Sequence, residues 1–278
     1  MGAKYMGAIG LLCIGSFFAT SVPVLGQETG DIPQVTIEVT AGGYNVPDEM
    51  PQGIVQITVE NNSETPIGPV FARLNDGVTP DDLWAVIKDG GDQAEQAALE
   101  RASVLGFLQV MPGETRDVTF DLTPGKYMLL NWPGDVPDEN IPFTVADTGG
   151  STAAAPQADV EVTLVNFAFN VPVAVPAGPQ LWHISNRGDQ PHEIIALPID
   201  ANMTVGDFNA LVQGLFSGTV APPAEPVIYL PMSPGEQAWI SYNLPPGTYA
   251  LLCGMSDTSG SHHLHAELGM RQIITVTE

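Results

Sequence analysis

The stretch MSPGEQAWISYNLPPGTYALLC (residues 232–253) repeats MPGETRDVTFDLTPGKYMLLN (residues 111–131) at a displacement of 122 residues. Gly113 meets Gly235, Gly125 meets Gly247 and Tyr127 meets Tyr249. Upstream, VTIEVTAGGYNVP (residues 35–47) aligns with VEVTLVNFAFNVP (residues 160–172) at a displacement of 125, which carries Asn61 onto Asn186. A period this long marks two copies of one structural unit. Within each copy, short apolar runs alternate with polar positions and are divided by Gly, Pro and Asn turns, the pattern of half-buried strands. The expected fold is therefore all-β, two tandem Greek-key β-sandwiches with short helical insertions.

Register follows from the repeat. Ile57 and Val59 of the first copy correspond to Trp182 and Ile184 in QLWHISN, so these four residues should face the core. His183 then points outward as an ordinary surface histidine. Helical pieces are expected in TPDDLWAVI and DQAEQAALERAS of the first copy and TVGDFNALVQGLF of the second, with Thr79 and Thr204 as N-caps.

The expected domain limits are a leader at 1–26, a first unit at 27–147, a linker at 148–158 and a second unit at 159–278. Residues 1–26 carry one positive charge at Lys4, an apolar stretch and small residues before the expected cleavage site, as secretory leaders do. That stretch is short for a membrane span. Cleavage would leave a secreted, periplasmic or extracellular chain with no membrane insertion; a retained anchor is the alternative. The linker region, ADTGGSTAAAPQAD, has nothing from which to build a core.

Charge narrows the partners. The full chain has 8 basic and 32 acidic residues, a net charge of −24. Such a surface repels nucleic-acid phosphates and anionic lipid, so nucleic acid is not an expected partner. A protein with a basic surface is.

The two copies differ where chemistry is concentrated. Beyond the leader, which takes Cys13 with it, Cys253 is the only cysteine, and all five histidines lie in the second copy. Cys253 falls opposite Asn131, and His192 in QPHEI falls opposite Ile67. By the last strand the displacement has grown to 131, where Phe143 meets Ile274, so the second copy has nine extra residues after Cys253. That longer connection holds His262, His263 and His265, with Met255 and Met270. A lone thiol in an oxidising compartment is a reactive group, an intermolecular link, a small buried hydrophobe or a metal ligand. Thiolate, thioether and imidazole together form the donor set that copper selects, although zinc accepts similar ligands.

In the order and type of these ligands the second copy resembles the cupredoxins, the blue copper proteins, whose sites run His, then Cys, His and Met on the last loop. The resemblance implies a mononuclear copper held by His192, Cys253 and His265, with Met270 as the weak axial ligand. Two positions depart from the family pattern. Eleven residues separate Cys253 from His265, a long interval that makes His262 or His263 alternative ligands. Glu193 follows the first histidine where the family commonly has Asn.

The functional expectation is one-electron transfer by a secreted copper protein that docks on a basic redox partner. The alternatives are copper sequestration or delivery without redox traffic, and a metal-free interaction module. A non-enzyme is expected, because a second copper cluster would need more histidines than remain.

Overall fold

The computed structural model describes residues 31–89, 94–131, 141–149, 153–224, 226–261 and 263–278. The expected leader, 1–26, and His262 lie outside them. Between 148 and 158 the described residues form neither helix nor strand.

The first half runs β1 (Gln34–Thr40), β2 (Gly43–Asn45), β3 (Glu49–Met50), β4 (Gly53–Asn61), β5 (Pro69–Leu74), α1 (Pro80–Asp89), α2 (Ala94–Leu99), β6 (Ala102–Phe107), β7 (Thr115–Leu122), β8 (Gly125–Asn131) and β9 (Ile141–Val145). The second runs β10 (Val160–Val165), β11 (Ala168–Asn170), β12 (Ala174–Pro176), β13 (Gly178–Asn186), β14 (His192–Ile199), α3 (Val205–Phe216), β15 (Ile228–Met232), β16 (Gln237–Leu244), β17 (Gly247–Leu252), α4 (His265–Leu268) and β18 (Arg271–Thr277).

The chain is an all-β sandwich. One eight-stranded sheet, ordered β11-β10-β13-β16-β7-β4-β1-β2, is packed by two five-stranded sheets, β12-β18-β17-β14-β15 and β3-β9-β8-β5-β6. The strand pairings of the first half recur in the second. β1 lies parallel to β4 as β10 does to β13, and β8 lies antiparallel to β5 and β9 as β17 does to β14 and β18. The halves meet where β7 and β16 pair antiparallel, with Val118 opposite Ile240, its counterpart in the sequence repeat.

The alternating pattern places its apolar side as expected: Ile57, Val59, Trp182 and Ile184 are all buried. The five-stranded sheets are apolar on both faces, and helices cover their outer sides. Leu83 of α1 packs with Ala72, Leu74 and Met128, while Phe208 and Val212 of α3 pack with Leu197, Ala250 and Leu252. The N-caps form at both expected threonines. Thr79 and Asp82 bond reciprocally at the start of α1, as Thr204 and Asp207 do at α3.

Matching polar pins reinforce each half. Asn61 Nδ2 donates to the carbonyls of Thr65 and Val110, and Asn186 Nδ2 to those of Gln190 and Met232. The hydroxyls of Tyr127 and Tyr249 each donate to the carbonyl four residues earlier, at 2.7 and 2.8 Å.

One expectation about a face is corrected. His183 does leave the core side of β13, but it is not an ordinary surface residue. Its ring stacks on Trp239 of the neighbouring strand at 4.3 Å, between hydrogen bonds to Glu161 and Gln237.

Candidate metal centre

Three strand ends define the site. β14 begins at His192, β17 ends one residue before Cys253, and β18 begins one residue after Met270; in the sheet β17 lies between the other two. The Cys253 N–H donates to the Met270 carbonyl at 3.2 Å, which extends the β17–β18 ladder into the site. The ligand atoms of His192, Cys253 and His265 all lie within 4.8 Å of one another, and all three residues are fully buried.

The eleven-residue interval between Cys253 and His265 has a structural explanation. After Met255 the chain leaves the site on an excursion that is closed back on itself: Ser256 and Leu264 form a β-bridge, and the Asp257 N–H donates to the His263 carbonyl at 2.8 Å. The His265 N–H then bonds the Met255 carbonyl at 2.8 Å, so the backbone passes from Met255 to His265 as if the intervening residues were absent. The one-turn helix α4, unforeseen in the sequence, turns the chain toward Met270, whose N–H donates to the His265 carbonyl. Met270 is buried in the same apolar cluster as Cys253. His263 is exposed on the excursion beside Glu267, at 3.5 Å, and is not brought to the cluster.

Hydrogen bonds fix the proton on each imidazole. Gln190 Nε2 donates to Asp257 Oδ1 at 2.9 Å, and its Oε1 accepts from the Thr258 N–H at 2.7 Å, so an oxygen faces His265 Nε2 at 3.3 Å. Asn166 is oriented likewise: its Nδ2 donates to the Asp189 carboxylate and its Oδ1 accepts from the Asp189 N–H. That Oδ1 faces His192 Nε2 at 3.0 Å. Both Nε2 atoms must therefore carry hydrogen, which leaves each Nδ1 as a bare lone pair.

The two lone pairs point at one another. His192 Nδ1 is 3.0 Å from His265 Nδ1, which is 3.3 Å from Cys253 Sγ. Such an arrangement repels unless a proton or a cation sits among the three atoms. A proton on either ring is disfavoured, since burial first, then His265, lowers the His192 pKa to about 4, and burial also lowers that of His265; in the metal-free site the proton among the three atoms is that of the Cys253 thiol, which faces His265 Nδ1. The thiol is pushed up to about 12 by burial and by Glu193, so without a cation Cys253 stays protonated. Two imidazole nitrogens and a thiol in one fully buried cluster match copper by donor type, so the residues fit that ion.

Close packing supports this geometry. A Cβ on Gly188 would lie 2.5 Å from Asn166 Oδ1 and 2.6 Å from His192 Nε2, so only glycine leaves room for their hydrogen bond. Glu193, the departure noted after the first histidine, is buried and accepts from the Gly254 N–H at 2.7 Å. It fastens the residue after Cys253. The ring of Phe167 packs on His265 at 5.0 Å.

Reading the ligands alone missed Asn166, Phe167, Gly188, Gln190 and Asp257. A signal for most of them was present: at the repeat displacement of 125, Asn166, Phe167, Gly188 and Gln190 fall opposite Ala41, Gly42, Ser63 and Thr65. The two halves of the sequence differ at these positions as they do at His192 and Cys253.

No described protein family and no curated relative matches the chain. Solved structures do. Dithionite-reduced auracyanin from Roseiflexus castenholzii matches 42% of this chain and 95% of its own, with 22% identity and a TM-score of 0.31. A multicopper oxidase matches 88% of each chain at 17% identity and a TM-score of 0.25. The multicopper oxidase of Pediococcus acidilactici matches 89% of this chain and 59% of its own, at 14% identity and a TM-score of 0.25. The matches that run nearly the full length are thus to enzymes, which contradicts the expectation, drawn from the histidine count, that this chain is not one. Among the described residues no helix is long and apolar enough to cross a membrane.

Proposed function

We propose that the chain is a copper redox protein, built as two tandem cupredoxin-like halves, that passes single electrons through one mononuclear type 1 centre in its C-terminal half. His192, Cys253 and His265 are the strong ligands of this reading and Met270 the axial one. Copper bound there would supply a one-electron couple that is tolerated by both thiolate and imidazole ligands. The protein's own residues supply the rest. Gln190 and Asn166 hold the two Nε2–H groups, so both Nδ1 lone pairs are presented without rotation of the rings. Full burial keeps water from the sulfur.

The observation that carries the proposal is the convergence of the two bare Nδ1 atoms and the Cys253 sulfur on one point. Support for a secreted or periplasmic address comes from the leader-like pattern of residues 1–26, and for a basic partner from the charge of −24. Adding Cu(II) to the metal-free protein should produce the intense visible band of thiolate-to-copper charge transfer, with one copper per chain by mass spectrometry. Cys253→Ser should abolish the band. A colourless, copper-loaded protein would sink the type 1 assignment.

A further inference from the structure

Glu193, the second residue of β14, sits behind the sulfur. Its backbone N–H donates to Cys253 Sγ at 3.4 Å, while its side-chain Oε1 accepts from the Gly254 N–H at 2.7 Å. Both contacts belong to one residue, so the carboxylate is held against the backbone that presents the sulfur. Glu193 is only 7% exposed. A Cβ on Gly254 would lie 2.9 Å from Oε1 and 2.6 Å from Phe216 Cε1, so glycine and the ring of Phe216 close the space around the carboxylate.

This placement changes the charge count of the site. A bound metal displaces the thiol proton and leaves a thiolate, and the two imidazoles are neutral, so the ligands themselves hold one negative charge. The Glu193 carboxylate makes it two. A buried cluster is least costly when its charges cancel. A monovalent ion leaves this one negative, whereas a divalent ion balances it. The carboxylates of Asp189 and Asp257 stand further out, bonded to the amides of Asn166 and Gln190, and push in the same direction.

We propose that Glu193 selects ions by charge: it favours divalent metal, oxidised copper included, over monovalent metal, and so sets a lower reduction potential than a neutral side chain there would. The inference rests on the reading of His192, Cys253 and His265 as ligands, but not on the type 1 character of the copper.

The test titrates the full metal-free chain, under nitrogen, with Zn(II) and Cu(I), closed-shell ions that differ in charge, against chelators of known affinity. Glu193→Gln keeps an acceptor for the Gly254 N–H and removes the charge. It should lower affinity for Zn(II) about 10-fold relative to that for Cu(I). Glu193→Asp keeps the charge but gives up the Gly254 bond, and should retain the wild-type ratio even where both affinities fall. In the copper-loaded protein, Glu193→Gln should raise the reduction potential by about 59 mV, the same 10-fold ratio expressed for one electron. An unchanged ratio in the Gln variant, equal losses for both ions, or an Asp variant whose ratio matches that of the Gln variant would overturn the proposal, since each leaves Glu193 as an anchor for Gly254 alone. The ratio needs no visible band, so it stays measurable if the type 1 assignment fails, and an unchanged ratio leaves that assignment untouched.

Discussion

His192 and His265 are neutral bases held where protons are unwelcome, and this gives the metal-free protein a pH signature. An unfolded chain would protonate these rings as the pH falls through about 6.5, whereas in the fold burial holds His192 back to about 4 and lowers His265 as well. Across that window the unfolded state binds more protons, so stability should be complete above about pH 6.5 and should fall as the pH drops toward 4. Urea unfolding midpoints of metal-free protein at pH 7 and pH 5 check this, and His192→Gln should shrink the difference. At this scale the three residues that converge, His192, Cys253 and His265, were legible in the sequence, because cysteine and histidine are rare and the two halves could be compared. Their supports were not singled out: Asn166 and Gln190 are loop amides like any turn residue until coordinates show that each is oriented by other bonds and faces a ring nitrogen.

At the scale of elements, the excursion after Met255 shows why counting residues between ligands misled. Separation along the chain measures contour length, whereas the Ser256–Leu264 bridge and the Met255–His265 bond set the distance that matters to a metal. Nothing in SDTSGSHHL announces that closure, and so His262 and His263 stood as alternatives to His265. Asp257 is the hub of the excursion. It accepts from Gln190 Nε2, from the Ser259 N–H and hydroxyl, and from the Ser261 hydroxyl, contacts that hold its carboxyl well below the usual range. Asp257→Ala should free Gln190 from its fixed orientation and lower copper affinity about 10- to 100-fold, as loss of groups behind a ligand generally does. Competition with a chelator of known affinity measures it. Asp257→Asn, which keeps an acceptor, should recover part of the loss, and an unchanged affinity in the alanine variant would show that the excursion has no hold on the site.

For the whole molecule, the decisive feature is the seam at β7 and β16. The turn glycines and tyrosines of the sequence pointed to a repeat, but a repeat does not say whether its copies share a core. Here Val118, Thr119 and Phe120 pair with Ile240, Trp239 and Ala238, making one sheet of two halves. β6 and the residue that follows β15 add a second junction through bonds between Val104 and Ser233 in both directions, at 2.8 and 2.9 Å. Calorimetric unfolding of the metal-free chain should accordingly show one cooperative transition, with calorimetric and van't Hoff enthalpies in agreement. Two resolved transitions would mean that the seam does not couple the halves.

The same seam settles what happens at the rims of the large sheet. Had each half stood alone, β7 and β16 would each offer an eight-residue strand with an unsatisfied flank. Joined, they hide one another, and the sheet ends instead on β2 and β11, strands of only three residues. Strands that short give a neighbouring molecule little ladder to extend, so the outermost strands of the large sheet resist fibril growth and edge-to-edge stacking.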